Sequence, residues 1–193
     1  MSRTVSVCTF VCLFSAVTEA ELVPFSIIGT VNQVLQTPPA PFDGAKVGDP
    51  FRVNFTLDDS TPDQDTVENL GTYSGAHLSY EVIIGGESVT TTDGGVNTSN
   101  AVGSAPGDTY ASVGIFDDFV ASVSFSDLTG DAIGPDDDLS TIDLSGFSHR
   151  QFTLLAGQTP ALTGFVIVPE PTAIVLFSTV AAIGFVAARR RSA

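Results

Sequence analysis

The chain has 193 residues, with 22 acidic and 7 basic side chains, and its formal net charge at pH 7 is −15. Binding to nucleic acid or to an anionic membrane surface relies on clustered Lys and Arg that neutralise phosphates, so this composition argues against both kinds of partner. Only two cysteines are present, Cys8 and Cys12, which leaves the chain beyond them without a disulfide framework.

Residues 1–20 have the parts of a secretory signal peptide. Arg3 supplies the positive charge, a mostly apolar stretch follows, and Thr18 and Ala20 are small residues that flank a cleavage point after Ala20. We therefore predict that the chain is exported and that this segment is removed together with both cysteines.

Residues 21–168 are expected to form one domain, because 148 residues are enough to build a sizeable apolar core. This segment holds 20 acidic residues against three basic ones, Lys46, Arg52 and Arg150, so its net charge is near −17. Without cysteines, the domain must be held together by its apolar core or by bound ions. Its acidic surface favours solubility, with binding of divalent cations as the more specific alternative.

Alternating apolar and polar residues predict a series of strands. After a candidate strand at 25–34, the clearest strand places four apolar side chains on one face: Phe51, Val53, Phe55 and Leu57. The same alternation recurs in Leu78, Tyr80, Val82 and Ile84. Gly85 and Gly86 then signal a turn, and the Thr-rich segment 88–92 is the expected partner of a hairpin. Later strands are predicted at 109–116, 120–127, 147–155 and 162–168.

Short strands separated by turn signals, with no sustained helical period, predict an all-β domain. We expect an antiparallel β-sandwich at 21–168. A jelly-roll-like arrangement is favoured over an immunoglobulin-type one, because the chain has no Trp and no cysteine pair in this segment.

Two oxygen-rich loops, 58–65 and 131–138, are candidate calcium sites, since calcium takes six to eight oxygen ligands from carboxylates and carbonyls. In the first loop, the candidate ligands are Asp59, Asp63 and Asp65. Neither loop is an EF-hand, because the glycine and the distal glutamate of that motif are missing. The alternative interpretation is that these are solvated carboxylates in ordinary turns.

A hydrolytic site would depend on His77 or His149, the only histidines. His77 follows Ser74 by three residues, but no Gly-x-Ser-x-Gly elbow surrounds it, which favours a polar residue of a loop or strand edge. His149 is expected to face outward at the start of a strand. Two distant histidines without a cysteine also argue against zinc.

Sugar binding or glycoside cleavage has weaker indications. Carboxylates are abundant, but sequence does not place two of them about 5 to 9 Å apart, as glycoside cleavage requires. The chain has no Trp to stack on a sugar. Tyr73, Tyr80 and Tyr110 are candidates for a sugar-facing platform, although Tyr80 fits the core better.

The segment 169–193 has the order of a membrane-targeting signal. Pro169, Glu170 and Pro171 precede an uncharged run of 17 residues at 172–188, and three arginines follow: Arg189, Arg190 and Arg191. As a helix, the run would span roughly 26 Å, which is at the short end for a bilayer core of about 30 Å. The arginines would stop transfer and remain on the cytoplasmic side, leaving the domain outside.

This arrangement closely resembles the PEP-CTERM sorting domain of Gram-negative bacteria. The resemblance rests on the Pro-Glu-Pro motif, the transmembrane run and the arginine cluster, all within 25 residues of the C-terminus. It implies recognition by exosortase, a membrane-embedded sorting enzyme that cuts near the motif. The alternative is an uncleaved single-span anchor.

The first half of the domain is also similar to a common ectodomain type in PEP-CTERM proteins. The similar segments are Gly29-Thr30-Val31, Gly48-Asp49-Pro50-Phe51, Asp59-Ser60-Thr61-Pro62-Asp63, Gly71-Thr72-Tyr73 and Ile84-Gly85-Gly86. That resemblance implies no activity.

Two functions are therefore expected, of which the first is favoured. The first is a non-enzymatic protein of the cell surface or extracellular matrix, adhesive or in contact with extracellular polysaccharide. The second is a secreted, glycosidase-like hydrolase on the same scaffold.

Overall fold

A computed structural model describes residues 22–67, 69–100, 107–130, 132–133, 139 and 142–167. Within these ranges the chain is all-β, with ten antiparallel strands in one sheet that curls into a half-barrel. The all-β, antiparallel prediction is thereby confirmed. The strands are β1 (Leu22–Val34), β2 (Pro50–Asp58), β3 (Leu70–Ser74), β4 (His77–Ile84), β5 (Glu87–Thr91), β6 (Gly94–Ser99), β7 (Asp108–Ile115), β8 (Phe119–Asp127), β9 (His149–Ala156) and β10 (Thr159–Ile167).

All strands predicted from alternation are present, with bounds that differ by a few residues. The hairpin of β4 and β5 is also confirmed, since Ile84 pairs with Glu87 around the Gly85–Gly86 turn. Alternation did not predict two strands, β3 and β6, because β3 has only five residues and β6 begins with two glycines, which add no apolar side chain to the pattern.

The strand order is β3-β6-β7-β8-β9-β10-β1-β2-β4-β5. Strands β7 to β10 follow one another as a meander, and β1 lies between β10 and β2. In this arrangement Ile28 of β1 pairs with Ile167 of β10 on one side and with Arg52 of β2 on the other. The first and last described strands are therefore neighbours in the middle of the sheet.

One long hairpin joins the two ends of this strand order. Strands β3 and β4 are separated only by Gly75 and Ala76, yet β3 is at one end of the order and β4 near the other. Strands β5 and β6 are likewise separated only by Thr92 and Asp93. The Gly75 amide donates to the carbonyl of Gly94 (2.9 Å), which ties the two links together. This hairpin contributes β3 and β6 to one end of the sheet and β4 and β5 to the other, so the sheet must curl until its two ends meet.

The hairpin bends because its two arms have unequal lengths at the links. Between the pairs Ser74↔Gly95 and Tyr80↔Thr91, the first arm has five residues (75–79) and the second has three (92–94). The pairing of β4 with β2 shifts at the same place, between Thr56 and Leu57. Extra residues of this kind bend and twist a strand locally.

The inward face of β4 differs from the prediction at one position, because of the bend. Tyr80, Val82 and Ile84 are buried as expected, but Leu78 is 46% exposed and His77 takes the buried position instead. Strict alternation from Tyr80 would place Leu78 inside. The register shift near Leu57 exchanges the inward and outward positions at this end of β4. Sequence alternation does not reveal such a shift.

Two loops complete the core at opposite ends of β8. Phe42 of the loop 35–49 packs edge-on against Phe119, at the start of β8 (centroids 5.8 Å apart). At the other end, Asp108 and Asp127 are buried and lie opposite each other on β7 and β8. Their carboxylates accept backbone amides of the following loop: Asp108 accepts the amide of Ile133 (2.8 Å), and Asp127 accepts the amide of Gly130 (3.1 Å). These two carboxylates therefore help to fix the loop over the core.

Several predicted features lie outside the described residues. They are the signal cleavage site at Ala20, the motif Pro169–Glu170–Pro171, the run at 172–188 and the arginines at 189–191. Within the described ranges, no helix has the length and hydropathy needed to cross a bilayer.

Closure of the sheet is tested by adding a methyl group at Gly114. A Cβ at this position would lie 2.4 Å from the ring of Tyr80, which is fully buried and has little room to move. We expect Gly114→Ala in segment 21–168 to lower the free energy of unfolding by about 1–3 kcal/mol, measured by urea denaturation. The matched control is Gly44→Ala, where a Cβ would meet nothing within 4 Å. Equal stability of the two variants would contradict the packing of β4 against β7.

Candidate functional site

The candidate calcium ligands in the loop after β2 hold the loop's own backbone. Asp63 Oδ1 accepts the amides of Asp65 (2.9 Å) and Thr72 (2.8 Å), and Asp65 Oδ1 accepts the amide of Val67 (3.1 Å). The Gln64 amide donates to the carbonyl of Thr72 (2.9 Å). The loop thus covers part of the open edge of β3, a common way of protecting an edge strand.

The structure does not gather Asp59, Asp63 and Asp65 into a cation site. Across the residues that it describes, no three His, Cys, Asp or Glu side chains are placed so that they could hold a metal ion. Of the second candidate loop, only residues 132 and 133 are described. In the structure, the carboxylates of Asp63 and Asp65 accept hydrogen bonds from backbone amides.

The proposed tyrosine platform is wrong. Tyr73, Tyr80 and Tyr110 are all buried, Tyr80 and Tyr110 completely. Burial raises the pKa of both Tyr80 and Tyr110 far above the ordinary value, because a phenolate would lose its hydration. The tyrosines point into the core from β3, β4 and β7, so none can stack on a sugar at the surface.

His77 is a core residue at the bend of the long hairpin, and not a residue of a loop or an exposed edge. Its Nε2 lies 2.8 Å from Ser112 Oγ of β7, and its ring lies 4.9 Å from that of Tyr80. Ser112 is fully buried, and its carbonyl accepts the hydroxyl of Tyr80 (3.4 Å). The Ser–His distance suits proton transfer, but neither group reaches the surface, so the pair connects β4 to β7 without access for a substrate.

Burial keeps His77 neutral. Loss of hydration on burial lowers its pKa from 6.5 to about 4, and the nearby backbone of Val113 opposes this shift only in part. Its Nδ1 is buried without a hydrogen-bond partner among the described residues. The rings that pack against it, Tyr80 and Phe55, carry no charge.

His149 behaves as predicted. It is exposed at the first position of β9, where its Nδ1 lies 3.1 Å from Ser148 Oγ. It lines an open cleft of about 540 Å³ together with Arg150 and Phe165. Arg150 uses its guanidinium internally, donating to the carbonyls of Phe147 (2.9 Å) and Ser145 (2.7 Å).

A polar cleft lies between β5 and the β7–β8 turn. It has a volume of about 480 Å³, and its polar groups are three exposed carboxylates and two threonine hydroxyls: Asp93, Asp117, Asp118, Thr90 and Thr91. We call these five residues, with Phe116, the acidic cleft. Of the residues that the structure describes, those lining the cleft include no basic side chain.

The floor of the acidic cleft is aromatic and fixed. Phe116 is half-buried and stacks on Phe119 with centroids 4.4 Å apart, and its amide donates to the carbonyl of Phe119 (2.9 Å). The rim is held by Asp93, whose carbonyl accepts the amide of Ile115 (2.9 Å) and whose amide donates to Thr91 Oγ1 (3.0 Å). Hydrogen-bond acceptors therefore surround an apolar floor on a rigid frame.

Sequence reasoning did not find this cleft. Asp117 and Asp118 lie between the strands predicted at 109–116 and 120–127, and Asp93 follows the predicted strand segment 88–92. They become neighbours because the hairpin bends at Thr92 and Asp93. A sequence signal was present only in the close spacing of Phe116 and the two aspartates.

No protein-family model, no curated protein and no solved structure matches the chain. Its function must therefore be inferred from its own residues.

The neutral state of His77 predicts a loss of stability in mild acid. Its pKa is about 4 when folded and 6.5 in the ordinary state, so its contribution is complete above pH 6.5 and is lost as the pH falls towards 4. Between pH 7 and pH 5, this one group should lower the free energy of unfolding by about 2 kcal/mol. Urea denaturation at the two pH values measures it.

Two glutamine variants separate this effect from general acid sensitivity. His77→Gln removes the titrating group, so the loss between the two pH values should shrink. His149→Gln removes an exposed histidine and should leave the loss unchanged. An undiminished loss in His77→Gln would show that His77 is not held neutral.

Proposed function

We propose that this chain is an exported, non-enzymatic protein of the cell surface or extracellular matrix, and that its domain binds neutral glycans through the acidic cleft. The observation that carries the proposal is the composition of that cleft. Asp93, Asp117 and Asp118 accept hydroxyl protons, while Phe116 offers an apolar surface to the C–H groups of a sugar ring. The acidic domain would repel anionic polysaccharides, which favours neutral ones.

The proposal includes the finer fold prediction, a jelly-roll-like sandwich. It is supported by the packing of one half of the sheet over the other, through His77 and Tyr80 of β4 against Ser112 and Gly114 of β7. A domain of this kind presents clefts where strands end, and the acidic cleft is such a place.

Delivery to the surface is also part of the proposal. It is supported by the leader at 1–20 and by the tail, in which Pro169–Glu170–Pro171, the run 172–188 and three arginines stand in the order of a PEP-CTERM signal. In this scheme the run enters the inner membrane, an exosortase-type enzyme recognises the motif, and residues 21–168 remain outside.

The alternative of a secreted hydrolase has no comparable support. Both histidines have a serine neighbour. His77 is buried with Ser112, and the exposed His149 lies beside Ser148 in an open cleft. The Ser148 hydroxyl donates to Asp127 Oδ1 (3.1 Å), so this serine is bonded directly to the carboxylate. In a catalytic triad the histidine lies between the serine and the carboxylate.

Glycan binding is tested on an array that carries neutral and anionic oligosaccharides. We expect segment 21–168 to bind neutral sugars in preference to anionic ones. Asp118→Ala should weaken binding at least about tenfold, since a lost hydrogen bond to a charged group is worth roughly 1.5–3 kcal/mol. Glu87→Ala is the control, because it removes an exposed carboxylate of β5 that does not line the cleft. Absence of neutral-sugar binding, or equal binding by Asp118→Ala and the unchanged segment, would contradict the proposal.

Sorting is tested by the intact mass of the protein from membranes and medium of its native host. We expect a mature N-terminus after Ala20 and a C-terminus near Pro171. A chain that still ends at Ala193 where exosortase is present would contradict processing and leave an uncleaved anchor.

A further inference from the structure

The outer face of the sheet beside the end of β10 is apolar around one arginine. Five residues form it, and we call them the Arg52 face: Ile28, Arg52, Ile83, Phe165 and Ile167. Phe165 is 65% exposed and Ile167 is 57% exposed, although both are large apolar side chains. An open cleft of about 410 Å³ lies in this face, with Thr30 and Pro50 on its wall.

Strand register explains why these residues lie together. Ile167 pairs with Ile28, Ile28 with Arg52, and Arg52 with Ile83, across β10, β1, β2 and β4. Cross-strand partners project from the same side of a sheet. The row therefore places three isoleucines and one arginine on one outer surface, in a domain whose other outward positions are mostly polar.

Arg52 supplies the positive charge of this surface, and it has no hydrogen-bond or ion-pair partner among the residues that the structure describes. It is exposed, and no described carboxylate forms an ion pair with it. Arg150, by contrast, donates to two backbone carbonyls. A guanidinium surrounded by isoleucines suits a ligand that combines a phosphate with hydrocarbon.

The chain itself limits how far this face can be from a membrane. Only five peptide steps separate Ile167 from Thr172, where the uncharged run begins. At about 3.3–3.6 Å for each step, Thr172 lies no more than roughly 18 Å from Ile167. If the run enters a bilayer, the Arg52 face must be close to the lipid headgroups.

We propose that the Arg52 face docks on the outer surface of the inner membrane while the tail is inserted, with its isoleucines and Phe165 in the interfacial layer and Arg52 on a lipid phosphate. The occupant is a zwitterionic phospholipid, since Asp49 and Glu87 flank the cleft next to Pro50 and Gly86 and would repel anionic headgroups. The inference rests on the membrane insertion in the proposed function, and it adds the orientation in which the domain is presented for sorting.

Quenching by lipid tests the orientation in the full chain. Cys8→Ser and Cys12→Ser leave an introduced cysteine as the only thiol, and the protein is reconstituted in phosphatidylcholine nanodiscs. A fluorophore on Ile83→Cys should be quenched severalfold more by a headgroup-level lipid quencher than one on Ile115→Cys. Ile115 is 50% exposed and belongs to β7, whose inner face packs against that of β4, so its outward side points the other way. Adding Arg52→Gln to the Ile83→Cys chain should reduce its quenching.

Three other results of this experiment would each contradict the proposal in a different way. Equal, weak quenching at both positions in chains that have entered the nanodiscs would overturn the docking face and leave insertion intact. Ile83 labels that lie close together on two copies, without lipid quenching, would overturn it in favour of a dimer. Failure of the chain to enter nanodiscs would overturn the membrane part of the proposed function, and this inference with it.

Discussion

The fold depends on two short links in one hairpin. Gly75–Ala76 and Thr92–Asp93 each carry the chain from one end of the strand order to the other, and the hydrogen bond from Gly75 to Gly94 holds the links side by side. A flat ten-stranded sheet could not contain this hairpin. Curling the sheet buries both inner faces against each other, and because residues 21–168 contain no cysteine, this burial is the main source of stability.

The same constraint explains the unusual polar interior near the links. Where β4 approaches β7, Gly114 leaves space for the ring of Tyr80, and Ser112 meets both Tyr80 and His77. Gly94 lies so close to the backbone of Val113 that a side chain would collide with its carbonyl, and its φ of 139° is a conformation that other residues rarely adopt. Polar and small residues therefore occur in the core because strands approach closely there, and their role is structural.

Much of the fold could be predicted because it depends on local alternation. Strand β2 and the hairpin of β4 and β5 follow from period-two patterns and a glycine turn, which act within a few residues. The bend at 75–79 depends on pairing with β2 and β6, far away in the sequence, and this is why His77 was expected at an edge and Leu78 in the core. The acidic cleft was missed for the same reason, since Asp93 meets the β7–β8 turn only after the sheet has curled.

Charge and hydropathy divide the molecule into surfaces of different composition. The acidic cleft gathers carboxylates around Phe116 where β5 meets the β7–β8 turn, whereas the Arg52 face gathers isoleucines around a single cation on the outer side of β10, β1, β2 and β4. The inner faces of β7 and β4 pack against each other. A domain held with the Arg52 face towards a membrane would direct β7 away from it. Glycan contact and membrane attachment are then compatible in one small domain.

The close packing of β4 on β7 is the central structural claim, and nuclear Overhauser effects in segment 21–168 test it most directly. The account predicts strong contacts from the aromatic protons of Tyr80 to the α-protons of Gly114, and an upfield shift of those α-protons by the ring. Random-coil or ordinary strand shifts for Gly114, with no contact to Tyr80, would contradict the closed sheet.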